Sequence, residues 1–203
     1  FIEFLRFSLY RPRDIITMLD LLKEIHLRND PGKPFNFTHD DFINAEFQEG
    51  YSNYLMGEIK DYLSFYYSTN DYEFFRKFFE FLSRKSEFDY EFFLEAFVKL
   101  EDYIIRNNYQ KPQFFETADT FLQFLYDLNI ICYIEKCEDK SFIRWCFRER
   151  NYSNISPKVK ANCRYSIHKG FLKSLNFEKV LHSNKKDRTT KSYRKPIKRN
   201  RKN

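Results

Sequence analysis

Apolar residues recur along most of this chain at three- and four-residue spacing, the period of helices with one buried face. Pro12 suits a first helical position, where its missing N–H would have no partner in any case. Ile15, Ile16, Leu19, Leu22 and Ile25 then mark the inward face of a helix running to about Arg28. The run Asn29-Asp30-Pro31-Gly32-Lys33-Pro34 breaks it. Thr38, followed by Asp40 and Asp41, reads as an N-cap with acids in the first turn. A long helix is expected from there to about Tyr66, with Phe47, Tyr51, Leu55, Ile59 and Leu63 on one stripe. Gly50 and Gly57 weaken it and mark a possible kink.

Further on, Asn70-Asp71 opens a shorter helix carrying Phe74, Phe75, Phe78, Phe79 and Leu82. Asp89 caps another, with Phe93, Ala96, Phe97, Leu100 and Ile104 inward. Thr117 begins a third, with Phe121, Leu122, Leu125 and Leu128 on its apolar side. The period then changes. Asn129 fits a left-handed C-cap, and Ile130–Glu135 is an apolar run of strand type. A turn at Cys137-Glu138-Asp139-Lys140 leads to a second strand over Phe142–Arg148, where Ile143, Trp145 and Phe147 alternate with Arg144, Cys146 and Arg148. Asn151–Pro157 is a polar loop, Arg164–His168 a further strand, and Lys169–Asn176 a short helix burying Phe171, Leu172 and Leu175.

Three helices followed by a two-stranded hairpin is the order of a winged-helix domain. The expected fold is therefore mainly α: a helical subdomain over residues 1–68, a winged-helix domain with a small β-hairpin wing over 69–181, and a basic tail over 182–203. No internal repeat is visible. The tail has little apolar content beyond Tyr193 and Ile197, too little to drive folding by itself.

Composition sharpens this picture. The chain has 203 residues, enough for one sizeable core, and among them 25 Phe and 15 Tyr. Most Phe fall at core spacing, which favours biased codon usage over an aromatic binding platform. Only 4 Gly and 6 Pro argue for helices rather than tight turns. There is no stretch of about 18 uncharged apolar residues, the length a membrane span needs, and no signal peptide. A cytoplasmic protein is expected. The chain starts at Phe1 rather than Met, as a fragment of a longer protein would.

Charge is unevenly placed. Residues 182–203 carry a formal +9 while the whole chain carries +6, which leaves −3 for residues 1–181. The body is mildly acidic and the basicity sits in the tail. Cysteines at 132, 137, 146 and 163 form no C-x-x-C pair and have no His at finger spacing, the pattern of reduced structural thiols. No cofactor or metal site is expected in this chain.

The run RPRDIITML, residues 11–19, resembles the opening of the lid helix in AAA+ and STAND-type P-loop ATPases. With YSNYLMGEIKDYL, FLQFLYDLNIICYI, the FRE that follows, and YSIHKGFLKSLN, the chain is similar over roughly residues 8–178 to the C-terminal region of bacterial FunZ-type P-loop ATPases. The resemblance implies a helical lid followed by a winged helix. It also implies an arginine near the lid-helix start, Arg13 and less strongly Arg11, that senses nucleotide phosphates. Arginine suits that task because its planar fork meets phosphate oxygens bidentately and keeps its charge. The competing reading has Arg11 and Arg13 solvated or paired with Asp14 and Asp20. The chain holds no G-x-x-x-x-G-K-[ST] loop. Hydrolysis is thus not expected of this chain; ATP and an upstream ATPase core are implied for a longer protein.

Other chemistry is weakly indicated. The third helix is ill suited to a DNA major groove: residues 112–129 lack Lys and Arg, and Glu116, Asp119 and Asp127 are negative. Lys136, Lys140, Arg144, Arg148 and Arg150 make the hairpin a better surface for DNA, against the plainer reading of an ordinary polar strand face. His39 with Asp40 and Asp41 has metal-ligand chemistry but sits where caps sit. Arg164 and His168 fall in a strand, which argues against an RNase-type pair. An alternative function is a protein-interaction module, with the acidic third helix docking a partner or another copy.

The tail is the strongest electrostatic feature. Lys185, Lys186, Arg188, Lys191, Arg194, Lys195, Lys198, Arg199, Arg201 and Lys202 would release counterions from DNA or RNA without regard to sequence, unless the segment only solubilises the chain. Filter binding across a salt series tests this. The nucleic-acid reading predicts affinity that falls with a log–log slope of about −0.9 per phosphate contact and vanishes when residues 182–203 are removed; binding unchanged by the removal would refute it.

Overall fold

In this computed structural model the chain is described from 7 to 177, apart from residues 33, 35, 37 and 139 and the side chains of 69 and 70. The basic tail lies outside the described residues. Helices α1 (Pro12–Asn29), α2 (His39–Ile43), α3 (Ala45–Tyr66) and α4 (Thr69–Phe81) come first. Then follow β1 (Glu87–Asp89), α5 (Tyr90–Arg106), a 3-10 turn (Gln113–Phe115) and α6 (Ala118–Asp127). Last come β2 (Ile131–Cys137), β3 (Lys140–Arg144), α7 (Cys146–Glu149), β4 (Arg164–Ile167) and a second 3-10 turn (Lys169–Phe171). The protein is mainly helical with one small antiparallel sheet of order β1-β4-β2-β3.

The first helix is rotated by about one residue from the expected face. Its buried stripe is Asp14, Met18, Leu22 and Ile25, while Ile16 is exposed. The cause is Asp14, whose carboxylate faces inward to meet the backbone of Leu9. The long helix expected from Thr38 is in fact two. Asn44 is extended at ψ 129, and its side-chain oxygen accepts from the amides of Glu46 and Phe47 at 2.8 and 3.3 Å. A short amide side chain competes with the helix for its own donors, so α2 ends there and α3 restarts. From Asn44 onward α3 runs unbroken through Gly50 and Gly57.

Beyond α3 the aromatic stripes interlock. Phe78 of α4 meets Phe121 of α6 edge-on at 4.7 Å, Phe121 meets Phe115 at 4.8 Å, and Phe115 stacks on Phe97 of α5 at 4.3 Å. Edge-to-face pairs at such separations add roughly 0.5–1.5 kcal/mol each to simple burial. One hydrophobic cluster holds Met18 and Leu55 as well as these rings, so the core is continuous across the boundary at residue 68.

With few glycines, helices α5 and α6 and the turns after β4 close on asparagine. Asn108, Asn129 and Asn176 all take positive φ, at 52, 57 and 56°. After each, a backbone N–H reaches back five residues: Tyr109 to Ile104, Ile130 to Leu125, and Phe177 to Leu172. This is the Schellman closure with Asn in place of Gly.

The sheet differs from expectation in two places. Its edge strand β1 is only three residues long, pairing Phe88 with Tyr165. At the other side the second strand stops at Arg144, and residues 146–149 turn into α7. Asn129 Oδ1 accepts from the Phe147 amide at 2.9 Å, and Tyr126 and Tyr133 donate to Glu149 at 2.6 and 3.1 Å. Those bonds pull the chain out of the sheet. After β4 the expected short helix is a 3-10 turn that packs on α3. Gly170 is required there: a Cβ would lie 2.5 Å from Leu55 Cδ1 and 3.0 Å from the Phe7 carbonyl. Among the described residues no helix is long and apolar enough to cross a membrane.

Candidate functional site

The start of α1 is built around one carboxylate. Asp14 is 0 % exposed. Its oxygens accept from the Leu9 amide at 3.1 Å, from Tyr54 Oη at 3.2 Å, and from Arg11 Nε and Nη2 at 3.0 and 2.6 Å. Arg11 is held charged: burial works against its cation, but hydrogen bonding and attraction from Asp14 outweigh burial. The Tyr51 hydroxyl, beside this cluster, is buried and has no hydrogen-bond partner among the described residues, and burial together with Asp14 raises its pKa.

Arg13, the residue just before Asp14, points away from that arrangement. Its guanidinium is 60 % exposed and pairs with Glu58 of α3. The same Glu58 oxygen stands 3.5 Å from Arg11 Nη1. Tyr54 and Glu58 are one turn apart on α3, so a single helix face offers a hydroxyl to Asp14 and a carboxylate to the arginines. The competing expectation of an Arg11–Asp14 pair is thus met in the structure, while Asp20 is exposed.

Both arginines line a cleft of about 320 Å³ between α1 and α3 on one wall and the ends of α6 and α7 on the other. Arg150 faces it too, opposed by Glu58 and Asp127. With Asp14 behind Arg11, these charges nearly cancel. The cleft by itself is a poor anion trap, so a phosphate there would have to be held from outside.

The segment leading into α1 is clamped to the other wall. Tyr10 has φ 59, an unusual conformation for an aromatic residue. Its ring stacks on Phe147 at 4.9 Å, and Arg148 Nη2 donates to its hydroxyl at 2.8 Å. Two residues earlier, Ser8 is buried and its backbone meets His168 at the end of β4. His168 is 3 % exposed and its Nδ1 accepts from the Gly170 amide at 3.2 Å. Burial pushes its pKa down to about 4, outweighing the Ser8 backbone and Asp14, which favour the cation. Glu58, Tyr54, Tyr10 and His168 were not foreseen as parts of one site. Two runs already noted as motifs contain three of them: YSNYLMGEIKDYL holds Tyr54 and Glu58, and YSIHKGFLKSLN holds His168.

The hairpin cations do not form one basic face. Arg144 is taken by Glu135 at 3.0 Å, Arg148 by Tyr10, and Arg150 turns to the cleft; Lys136 and Lys140 are exposed. Helix α6 is enclosed, with five of its ten residues buried. Its Gln123 donates to the Pro157 carbonyl and accepts from the Val159 amide, both at 3.0 Å, so the loop covers that side. Asp119 accepts from Tyr90 Oη at 2.7 Å, and Asp127 from Gln123 at 2.9 Å. The helix therefore offers solvent little beyond its first turn. Asp41 is used by the Thr38 amide and hydroxyl, at 2.6 and 2.9 Å, as a cap. Cys132 and Cys146 are buried, and all four cysteines are free. Among the described residues no cluster of three His, Cys, Asp or Glu could hold a metal ion. Lys185 to Lys202 fall outside the described residues.

No protein-family model, no curated protein and no solved structure matches this chain.

The buried imidazole has a measurable consequence. The folded pKa lies near 4, below the ordinary value of about 6.5 in an unfolded chain, so the unfolded state takes the proton first. The stability contributed by the neutral ring is complete above about pH 6.5 and is lost as the pH falls toward 4, by about 3 kcal/mol. His168→Asn keeps an acceptor for the Gly170 amide and removes the titration. Urea unfolding at several pH values should give a shallower acid slope for the variant; identical slopes would show that the ring is not what titrates.

Proposed function

We propose that this chain is the non-catalytic C-terminal module of a P-loop ATPase. Residues 1–68 act as a helical lid, 69–181 as a winged-helix domain, and 182–203 as a sequence-blind contact for DNA or RNA. Arg13 is the nucleotide-sensing group. The observation that carries the reading is the contrast between two neighbouring arginines. Arg11 is fixed on buried Asp14, whereas Arg13 is exposed at a cleft mouth with a partly exposed carboxylate as its partner. A rigid turn that presents a second, exchangeable guanidinium suits a phosphate held by another part of the protein.

The order of elements supports the winged-helix assignment. Helix, short strand, two helices and a hairpin follow one another, and the short β1 joins the last strand, β4. The enclosed α6 argues against reading a major groove with that helix, and it equally weakens the alternative of an acidic docking helix. Nucleic-acid contact is therefore assigned to the tail.

In this mechanism the upstream core holds ATP, and binding supplies a terminal phosphate at the cleft. Arg13 turns from Glu58 to that phosphate and draws the first turn of α1 with it. Asp14 ties that turn to the Leu9 backbone, and Tyr10 ties the same segment to Phe147 and Arg148. Motion of the lid is thereby passed to α7 and the sheet.

Steady-state ATP turnover of the complete polypeptide tests the assignment. Arg13→Ala should lower turnover on the order of a hundredfold, the scale of losing one preorganised cation at a transferring phosphate, with the melting temperature little changed. Turnover equal to that of the parent would reject the sensing role.

A further inference from the structure

We infer that Glu58 is a built-in stand-in for the phosphate: it occupies Arg13 in the nucleotide-free state and so sets how readily the site responds to a triphosphate. This rests on the sensing role proposed above for Arg13.

The geometry is that of an exchangeable partner. One oxygen, Glu58 Oε2, serves both Arg13 and Arg11 Nη1. Arg11 does not need it, because three hydrogen bonds already anchor its guanidinium to Asp14. Arg13, in contrast, has Glu58 as its ion-pair partner among the described residues. When Arg13 leaves, Glu58 still faces the Arg11 cation, so the carboxylate is not stranded. The exchange therefore breaks one pair and orphans neither group.

Magnitudes favour the exchange. The pair is 60 % and 24 % exposed on its two sides, and pairs open to water contribute little. A terminal phosphate carries more charge than a carboxylate and accepts bidentately from the guanidinium fork. It should win Arg13, but only after overcoming Glu58. The carboxylate thereby lowers affinity for ATP without touching ADP, which lacks the phosphate that reaches Arg13.

Calorimetric titration of the complete polypeptide with ATP and with ADP tests this. Glu58→Gln removes the charge and nearly keeps the shape. It should tighten ATP about two- to fivefold, the strength of an exposed pair, and leave ADP affinity unchanged. Arg13→Ala should weaken ATP, and the double variant should match Arg13→Ala, because Glu58 acts only through that arginine. ATP affinity unchanged or weakened in Glu58→Gln would overturn the inference, as would equal tightening of ADP or additive effects in the double variant. If Arg13→Ala itself leaves ATP binding untouched, the sensing role fails first. Thermal unfolding of each variant confirms that the folded proteins are being compared.

Discussion

A single carboxylate, sealed from water at the first turn of a helix, governs the arrangement of this protein. Moving an ionised Asp out of solvent costs several kcal/mol unless its oxygens are met by well-placed donors. Asp14 is met by a backbone amide, a phenol and a guanidinium drawn from the preceding segment and from α3. Satisfying it rotates α1 so that Met18 enters the core and Ile16 leaves it. It also holds Ser8 to Arg11 between the helical layer and the sheet. The same segment is pinned at its other side by Tyr10 on Phe147 and by Ser8 on His168. Once those contacts form, the direction of Arg13 follows.

Much of the fold could be read from residue order. Aromatic stripes such as Phe93, Phe97 and Leu100 have one solution, a buried helix face, and α5 adopts it. The C-cap at Asn129 was legible because a short amide tolerates the left-handed region and the period changes directly after it. What escaped was set by partners distant in sequence. Three residues of β1 are too few to show alternation, and they become a strand only because β4 lies beside them. Phe142–Arg148 alternates like a strand, yet Asn129 and two tyrosines bend its second half into a turn. The site was harder still. Arg11 and Asp14 are three residues apart and their pairing could be considered from the sequence, whereas Glu58 lies 47 residues from Arg11. Glu58 falls within the YSNYLMGEIKDYL run, yet nothing in that run marks it as the partner of the two arginines.

Charge is unevenly divided along the molecule. The body is mildly acidic, and acids answer several of its cations: Glu135 pairs with Arg144 and Lys160, Asp14 with Arg11, and Glu58 with Arg13. Such a surface has little reason to hold a polyanion. The cleft at α1 follows the same rule, since its guanidinium groups are matched by acids. Under the proposed sensing role a near-neutral cleft is an advantage, because an arginine that trades one anion for another would report on the newcomer without binding it by itself.

The most direct test concerns the carboxylate itself. Asp14→Asn keeps the side-chain shape and one acceptor but removes the charge that Arg11 and the Leu9 amide share. Native-state hydrogen exchange on the variant should show the Leu9 amide losing its protection, together with a loss of about 2–3 kcal/mol in unfolding stability, the range for weakening charge-assisted hydrogen bonds at a buried group. A Leu9 amide as protected as in the parent, with stability unchanged, would contradict the view that this carboxylate fixes the start of α1 and the aim of Arg13.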